Sequence, residues 1–199
     1  MQQNLQELKE NGEKEIETVL KQVDNICEKN SRKVLEAFQK CHLQEQHLNS
    51  YTGYGIDEPG RDKIEEIYSH IFKAEDSLVR AQLISGTHAL AITLSALLRP
   101  NDTMLSITGE PYDTLQTVIG IGKETSDSSL KSYGINYEQI DLLNNDFNYE
   151  KIKERLSTKN VKLVEIQRSR GYSTRKSINI DKIEKIIKEI RKVNTDVII

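Results

Sequence analysis

The chain has 199 residues, a formal net charge of −3, 36% hydrophobic and 30% charged side chains. That length fits one ordinary domain, or one and a part, and the charge balance gives no reason to expect a nucleic acid or an acidic membrane surface as partner. The composition is wetter than an average globular chain but too apolar and too periodic for disorder. No apolar run approaches the roughly 20 residues of a membrane helix. The N-terminus carries acidic residues and no uninterrupted apolar stretch, so it is not a signal peptide and a cytoplasmic protein is expected.

In chain order, Ile16, Val19, Leu20, Val23, Ile26 and Cys27 recur at helical spacing. Asn30 or Ser31 is suited to cap a second helix carrying Val34, Leu35, Phe38 and Cys41. Cys27 and Cys41 form no CxxC pair, and both are expected as small core hydrophobes in a reducing compartment. The four histidines lack metal-site spacing, so no metal is expected. Asn49–Gly60, with three glycines, one proline and two tyrosines, predicts a loop. A third helix is expected over Arg61–Phe72.

From Ser77 the pattern becomes alternating strands and helices. Strands are expected at Leu78–Ile84, Met104–Ile107, Ile135–Ile140 and Val161–Ile166, with another beginning at Val197–Ile199. Helices are expected at Thr87–Leu98, Asp113–Ile119, Tyr149–Leu156 and Ile180–Val193, with a turn at Pro100-Asn101-Asp102. Such alternation predicts an α/β fold with a mainly parallel sheet flanked by helices. The apolar run at Val197–Ile199 has the character of a buried parallel strand without a following flank. The chain is therefore expected to be an incomplete domain, against the alternative of a short terminal edge strand.

In open α/β sheets ligands bind beyond the carboxyl ends of the strands. There the sequence places Ser85-Gly86-Thr87-His88, which suits either a phosphate at a helix N-terminus or plain capping. Tyr112 follows the next strand, able to stack on a flat ring or to pack on the sheet edge. Gln167-Arg168-Ser169-Arg170 follows a later one, either an anion-binding cluster or a solvated basic loop. The Gly120–Glu124 segment only approximates a P-loop, because Glu124 stands where Ser or Thr belongs, and Gly53-Tyr54-Gly55 follows no strand. No serine lies in a GxSxG elbow.

Three strings, YTGYGIDEPGRD, FKAEDSLVRAQLISGTHALAITLSALLRPNDTMLSITGEPYDTL and IQRSRGYS, together resemble one family closely. It is the methionine gamma-lyase-like or aluminium resistance family of pyridoxal 5'-phosphate (PLP) enzymes, related to cystathionine gamma-lyase. The likeness covers about Tyr51 to Ile199. It implies the fold-type-I PLP-dependent transferase architecture, homodimers or homotetramers, and carbon–sulfur bond cleavage in a sulfur amino acid. It implies a helical arm at 1–50, a Gly-rich loop and helix at a subunit interface at 51–76, and the N-terminal part of the PLP-binding large domain at 77–199.

The resemblance also implies residue roles. Ser85, Gly86, Thr87 and His88 correspond to the phosphate cradle, and Tyr112 to the aromatic stacked on the cofactor ring. Tyr54 and Arg61 correspond to a loop reaching the partner subunit's phosphate. Gln167, Arg168, Ser169 and Arg170 fall where relatives contact the cofactor ring and the substrate carboxylate. The Schiff-base lysine and the acidic residue against the pyridine nitrogen lie, in the family, beyond the strand that begins at Val197. No lysine here occupies a matching position. The expectation is an N-terminal portion of such a lyase, inactive alone, with a non-catalytic PLP- or phosphate-binding or subunit-interaction module as the alternative.

Overall fold

A computed structural model describes residues 2–54, 56, 58–123, 126–158 and 160–199. Gly55 of the Gly-rich loop and Glu124 of the rejected P-loop segment lie outside the described residues. The chain forms two compact units, Met1–Gln82 and Leu83–Ile199.

The first unit is helical. Helix α1 runs unbroken over Gln2–Lys40, which corrects the expected break at Asn30 or Ser31. Neither glycine nor proline interrupts that region, and the Glu28–Arg32 ion pair (2.8 Å) spans the expected boundary. Asn30 stays in the helix by donating from its side-chain amide to the Ile26 carbonyl at 2.9 Å. A single 3-10 turn follows at Glu45–Leu48, and helix α2 covers Pro59–Phe72 with proline at its first turn. The core of the unit is small: Ala37, Cys41 and Ile67, with Leu43 and Ile71 against them. Cys41 is buried as expected, whereas Cys27 is exposed, a correction, because its face of α1 meets no other element among the described residues.

The expected strand at Leu78–Ile84 does not form. A strand needs a ladder partner. Here the Val79 N–H donates instead to Glu65 Oε1 at 2.8 Å, and Arg80 ion-pairs with the same carboxylate. Leu78 and Ile84 are left exposed.

The second unit is α/β. Helix α3 (Gly86–Leu97), strand β1 (Thr103–Ser106), helix α4 (Asp113–Ile119), strand β2 (Asn136–Gln139), helix α5 (Tyr149–Ser157), strand β3 (Val161–Glu165) and helix α6 (Ile180–Val193) alternate as the sequence predicts. The strands form a parallel sheet in the order β2-β1-β3. Ile198 adds a further parallel bridge to Leu163, on the outer side of β3.

Every residue of β1 is buried, as a central parallel strand covered on both faces requires. Alternate side chains divide between two cores. Leu105 and Val164 pack with Ile152, Leu156, Ile186 and Ile190 of α5 and α6. Met104 and Leu163 pack with Leu94, Leu98, Leu115 and Ile119 on the α3 and α4 side. Helix starts are capped as their sequences suggest: Asn148 accepts from the Lys151 N–H and Asn179 from the Lys182 N–H. No described helix is long and apolar enough to cross a membrane.

Candidate functional site

Strands β1 and β3 run parallel and end side by side, which gathers the segments that follow them. Beyond β1, Thr108 Oγ1 accepts the Gln167 N–H at 3.0 Å. Gln167 Oε1 in turn accepts the Tyr112 N–H at 2.7 Å, at the start of α4. These two bonds lock the post-β1 and post-β3 loops together across a cavity of about 430 Å³. Its walls include Glu110, Tyr112, Gln167, Arg170, Tyr172 and Arg175.

Tyr112 is 38% exposed at this cavity. Its ring stacks on Tyr172, with centroids 5.7 Å apart and planes inclined by 26°. The Tyr112 hydroxyl donates to the Tyr172 hydroxyl at 3.4 Å, and that hydrogen bond raises the Tyr112 phenol above its ordinary value. Gly171 has a positive φ of 56°, and a Cβ there would come 3.2 Å from the Tyr112 ring, so this close approach suits glycine.

Helix α3 starts nearby. Ser85 is its N-cap and accepts the His88 N–H at 3.0 Å. The hydroxyl proton of Ser85 remains available to another acceptor. The Ala89 N–H bonds to the Ser85 carbonyl, and a helix start leaves its first N–H groups without helical partners. A Cβ on Gly86 would meet nothing within 4 Å, so the approach to these groups is open. His88 Nδ1 is buried without a hydrogen-bond partner. Thr87 Oγ1 and Thr114 Oγ1 are 2.8 Å apart, which ties the first turn of α3 to the first turn of α4, two residues from Tyr112.

The four-residue cluster after β3 is divided by the structure. Gln167 and Arg170 line the cavity. Arg168 turns back instead, donating from Nε to the Ile178 carbonyl at 3.2 Å. Ser169 contributes its carbonyl, which accepts from Gln167 Nε2 and from Arg175. Tyr54 and Arg61 belong to the first unit. Tyr54 is 86% exposed, and Arg61 pairs with Glu58 at 3.2 Å and with Gln82 at 3.4 Å.

Several residues of the site carry no motif. Arg175 reaches back to the Gln167 and Ser169 carbonyls at 3.0 and 2.5 Å and so shapes the cavity loop. Tyr172 stands in the quoted string but shows its part only once the loop folds over Tyr112. Beneath the cavity, Ser106 Oγ lies 2.7 Å from the Gly109 carbonyl and 2.7 Å from Glu165 Oε2. Burial holds the Glu165 carboxyl above its usual range, against smaller opposing effects of Ser106 and Arg175. Among the described residues no group of three histidine, cysteine or acidic side chains is placed to hold a metal.

An α/β unit with an open helix start, an aromatic ring and an arginine gathered beyond its parallel strands can hold an anionic ligand that carries a flat ring. The methionine gamma-lyase family profile matches residues 5–199. The chain belongs to that family. It is similar over 98% of its length to two solved structures. One is described as a carbon–sulfur lyase involved in aluminium resistance, from Clostridium novyi (39% identity, TM-score 0.90). The other is described as a proposed cystathionine beta-lyase involved in aluminium resistance, from Clostridium acetobutylicum (42% identity, TM-score 0.92). The chain covers 46% of each of those structures. The Bacillus subtilis protein YnbB is 39% identical over 188 residues, which is 94% of this chain and 44% of YnbB. The chain thus spans less than half the length of these relatives.

Proposed function

We propose that the Leu83–Ile199 unit binds PLP as part of a fold-type-I carbon–sulfur lyase acting on a sulfur amino acid. The observation that carries the reading is the 2.8 Å Thr87–Thr114 contact, which joins an open helix start to the helix that presents Tyr112. The residues fit the group. The unpartnered buried His88 Nδ1, the open space over Gly86 and the part-exposed Tyr112 ring supply what a phosphate and a flat ring need.

In this reading Ser85, Gly86 and Thr87 hold the phosphate through hydroxyl and backbone N–H groups at the positive end of α3, with His88 beside them. Tyr112 stacks on the ring. Gln167 orients Tyr112 through its backbone bond, and Arg170 offers a bidentate partner to a substrate carboxylate. Arg168 and Ser169 hold the loop by their present backbone contacts. PLP, when bound, supplies the electron sink that makes an amino-acid α-proton removable. Tyr54 and Arg61 approach the phosphate of a second copy in a homodimer or homotetramer.

Among the described residues no lysine lines the cavity, and a PLP lyase needs one to carry the cofactor and move the proton. The lysine is therefore assigned to protein outside these 199 residues, which by themselves bind without turnover. The same observation supports a second reading, a PLP- or phosphate-binding or subunit-interaction module. Borohydride reduction in the presence of PLP, followed by peptide mapping, tests the assignment. The expected result is saturable PLP binding with no single lysine labelled stoichiometrically. Stoichiometric labelling of one lysine, together with cleavage of methionine or cystathionine, would overturn it.

A further inference from the structure

Beneath the cavity one hydroxyl stands between two oxygens. Ser106, fully buried at the end of β1, has its Oγ 2.7 Å from the Gly109 carbonyl and 2.7 Å from Glu165 Oε2. A hydroxyl has one proton to give, a carbonyl can only accept, and a carboxyl donates when protonated but only accepts when ionised. The protonation of Glu165 therefore decides which way the Ser106 hydroxyl points. With the acid neutral, Glu165 donates to Ser106 and Ser106 donates to Gly109. With the acid ionised, its carboxylate is the stronger acceptor. The hydroxyl then turns to it, and the Gly109 carbonyl loses this partner.

Gly109 belongs to the turn that carries Tyr112 to the cavity. Its N–H donates to the Ile140 carbonyl at 3.1 Å. On either side of it, Thr108 Oγ1 and the Tyr112 N–H both bond to Gln167. Gly109 is buried, and a buried carbonyl needs a partner. It also sits at φ +82°, where a Cβ would come 3.1 Å from Asp141 Oδ1. The turn is thus closely fitted, and its carbonyl is the one anchor that a proton can remove.

The charged groups around the pair set the balance. Burial favours the neutral Glu165 more strongly than Arg175, from the loop after β3, favours the ionised one. Tyr137 of β2 faces the same space. Burial and the nearby Glu165, Glu110 and Asp141 hold its phenol protonated, against a smaller opposing effect of Ser106. Its hydroxyl donates to Gln139 Oε1 at 3.0 Å, so Tyr137 adds no competing charge.

We infer that Ser106 and Glu165 form a proton-operated latch on the Tyr112 turn. Glu165 is a positioning residue acting through Ser106: it holds the turn while it keeps its proton and frees the Gly109 carbonyl when it gives that proton to solvent. The Ser106 O–H bond stays intact and only changes direction. The latch itself needs no cofactor. Its consequence for binding rests on the proposed site: a ring bound against Tyr112 is held better by the anchored turn, and its binding favours the protonated acid in return.

The test follows the Glu165 side-chain carboxyl and the Gly109 carbonyl together by carbon NMR, without PLP, from mildly acidic to alkaline pH. Both signals should inflect at the same pH. In Glu165→Gln the Gly109 inflection should vanish. In Ser106→Ala, Glu165 should still titrate while Gly109 no longer follows. A Gly109 signal that ignores the Glu165 titration, or that inflects unchanged in either variant, would overturn the latch. The wild-type titration decides alone if a variant fails to fold. Calorimetric titration with PLP over the same range then reads the coupling. Wild-type affinity should fall about fivefold or more relative to Glu165→Gln across the inflection, and a constant ratio would overturn the coupling to the site. Absence of PLP binding in both proteins would count against the cofactor reading, while the NMR result still decides the latch.

Discussion

Ser106 and Glu165 share one proton too few for the bonds around them. Ser106 Oγ is 2.7 Å from both the Gly109 carbonyl and Glu165 Oε2, and a hydroxyl has a single proton to donate. A carbonyl can only accept, so the Ser106 proton belongs to Gly109. The second contact is then satisfied when Glu165 keeps its own proton. Burial acts in the same direction by raising the Glu165 carboxyl above its usual range. The neutral acid contributes stability that is fully present below the ordinary glutamate range near pH ~4.3 and is lost as pH rises through the raised value. Glu165→Gln, which can donate to Ser106 at any pH, should match the wild type in mild acid and exceed its melting temperature at alkaline pH. Parallel melting curves for both proteins across pH would contradict the assignment.

Tyr172 stacks on one face of the Tyr112 ring, and in the proposed arrangement a flat ring bound on that face has to displace it. A stacked aromatic pair is worth about 0.5–1.5 kcal/mol. Tyr172→Ala should therefore tighten PLP binding several-fold, and Tyr112→Ala should weaken it. In Tyr172→Phe the Tyr112 phenol loses the hydrogen bond that raises it. An ultraviolet tyrosinate titration should then show Tyr112 ionising at lower pH than in the wild type.

Thr87 and Thr114 join the two helix starts by a hydroxyl pair at 2.8 Å. Losing one such bond costs about 0.5–1.5 kcal/mol. Thr114→Val, which cannot touch the phosphate in the proposed arrangement, should lower PLP affinity by about two- to tenfold, and Thr87→Val by more. Calorimetric titration of both variants separates a positioning contact from a binding one.

The fold rests on positions that can be checked independently of any ligand. Ile186 is fully buried between α6 and the sheet, and Ile186→Ala should cost about 2–5 kcal/mol in denaturant unfolding. Gly120 ends α4 at φ +91°, where a Cβ would come within 2.5 Å of Ser129 Oγ. Gly120→Ala combines a left-handed backbone, which alone costs a non-glycine residue about 1–2 kcal/mol, with that clash, so it should cost more than the backbone strain alone.

The α/β half was legible because its strands are short apolar runs set between strongly amphipathic helices: Met104-Leu105 and Leu163-Val164 read as buried on both faces, and they are. Length and continuity in the helical half were not legible. Asn30 and Ser31 are cap-forming types, but local propensity does not stop a helix that an ion pair such as Glu28–Arg32 carries across. Leu78–Ile84 has a strand's composition, yet Glu65 takes its backbone and its arginine, and pairing is decided by neighbours rather than by composition. In the candidate site, Tyr112 follows the end of β1 and is reached by the strand-end rule, whereas Ser85 and Thr87 follow no strand in the structure: the rule reached them through a strand at Leu78–Ile84 that does not form, and they stand at the start of α3. Glu165, Tyr172 and Arg175 could not be found from that rule, because their roles arise from a loop folding back over the sheet edge.

The central claim is a phosphate-anchored PLP site at the start of α3. Titrating the protein with PLP by calorimetry, with and without excess inorganic phosphate, and repeating it with Gly86→Arg, tests it most directly. Added side-chain atoms at Gly86 begin in open space, so the variant should fold with an unchanged circular dichroism spectrum. The account predicts one saturable site that phosphate competes for and that Gly86→Arg abolishes. No binding, or binding indifferent to both phosphate and Gly86→Arg, would contradict it.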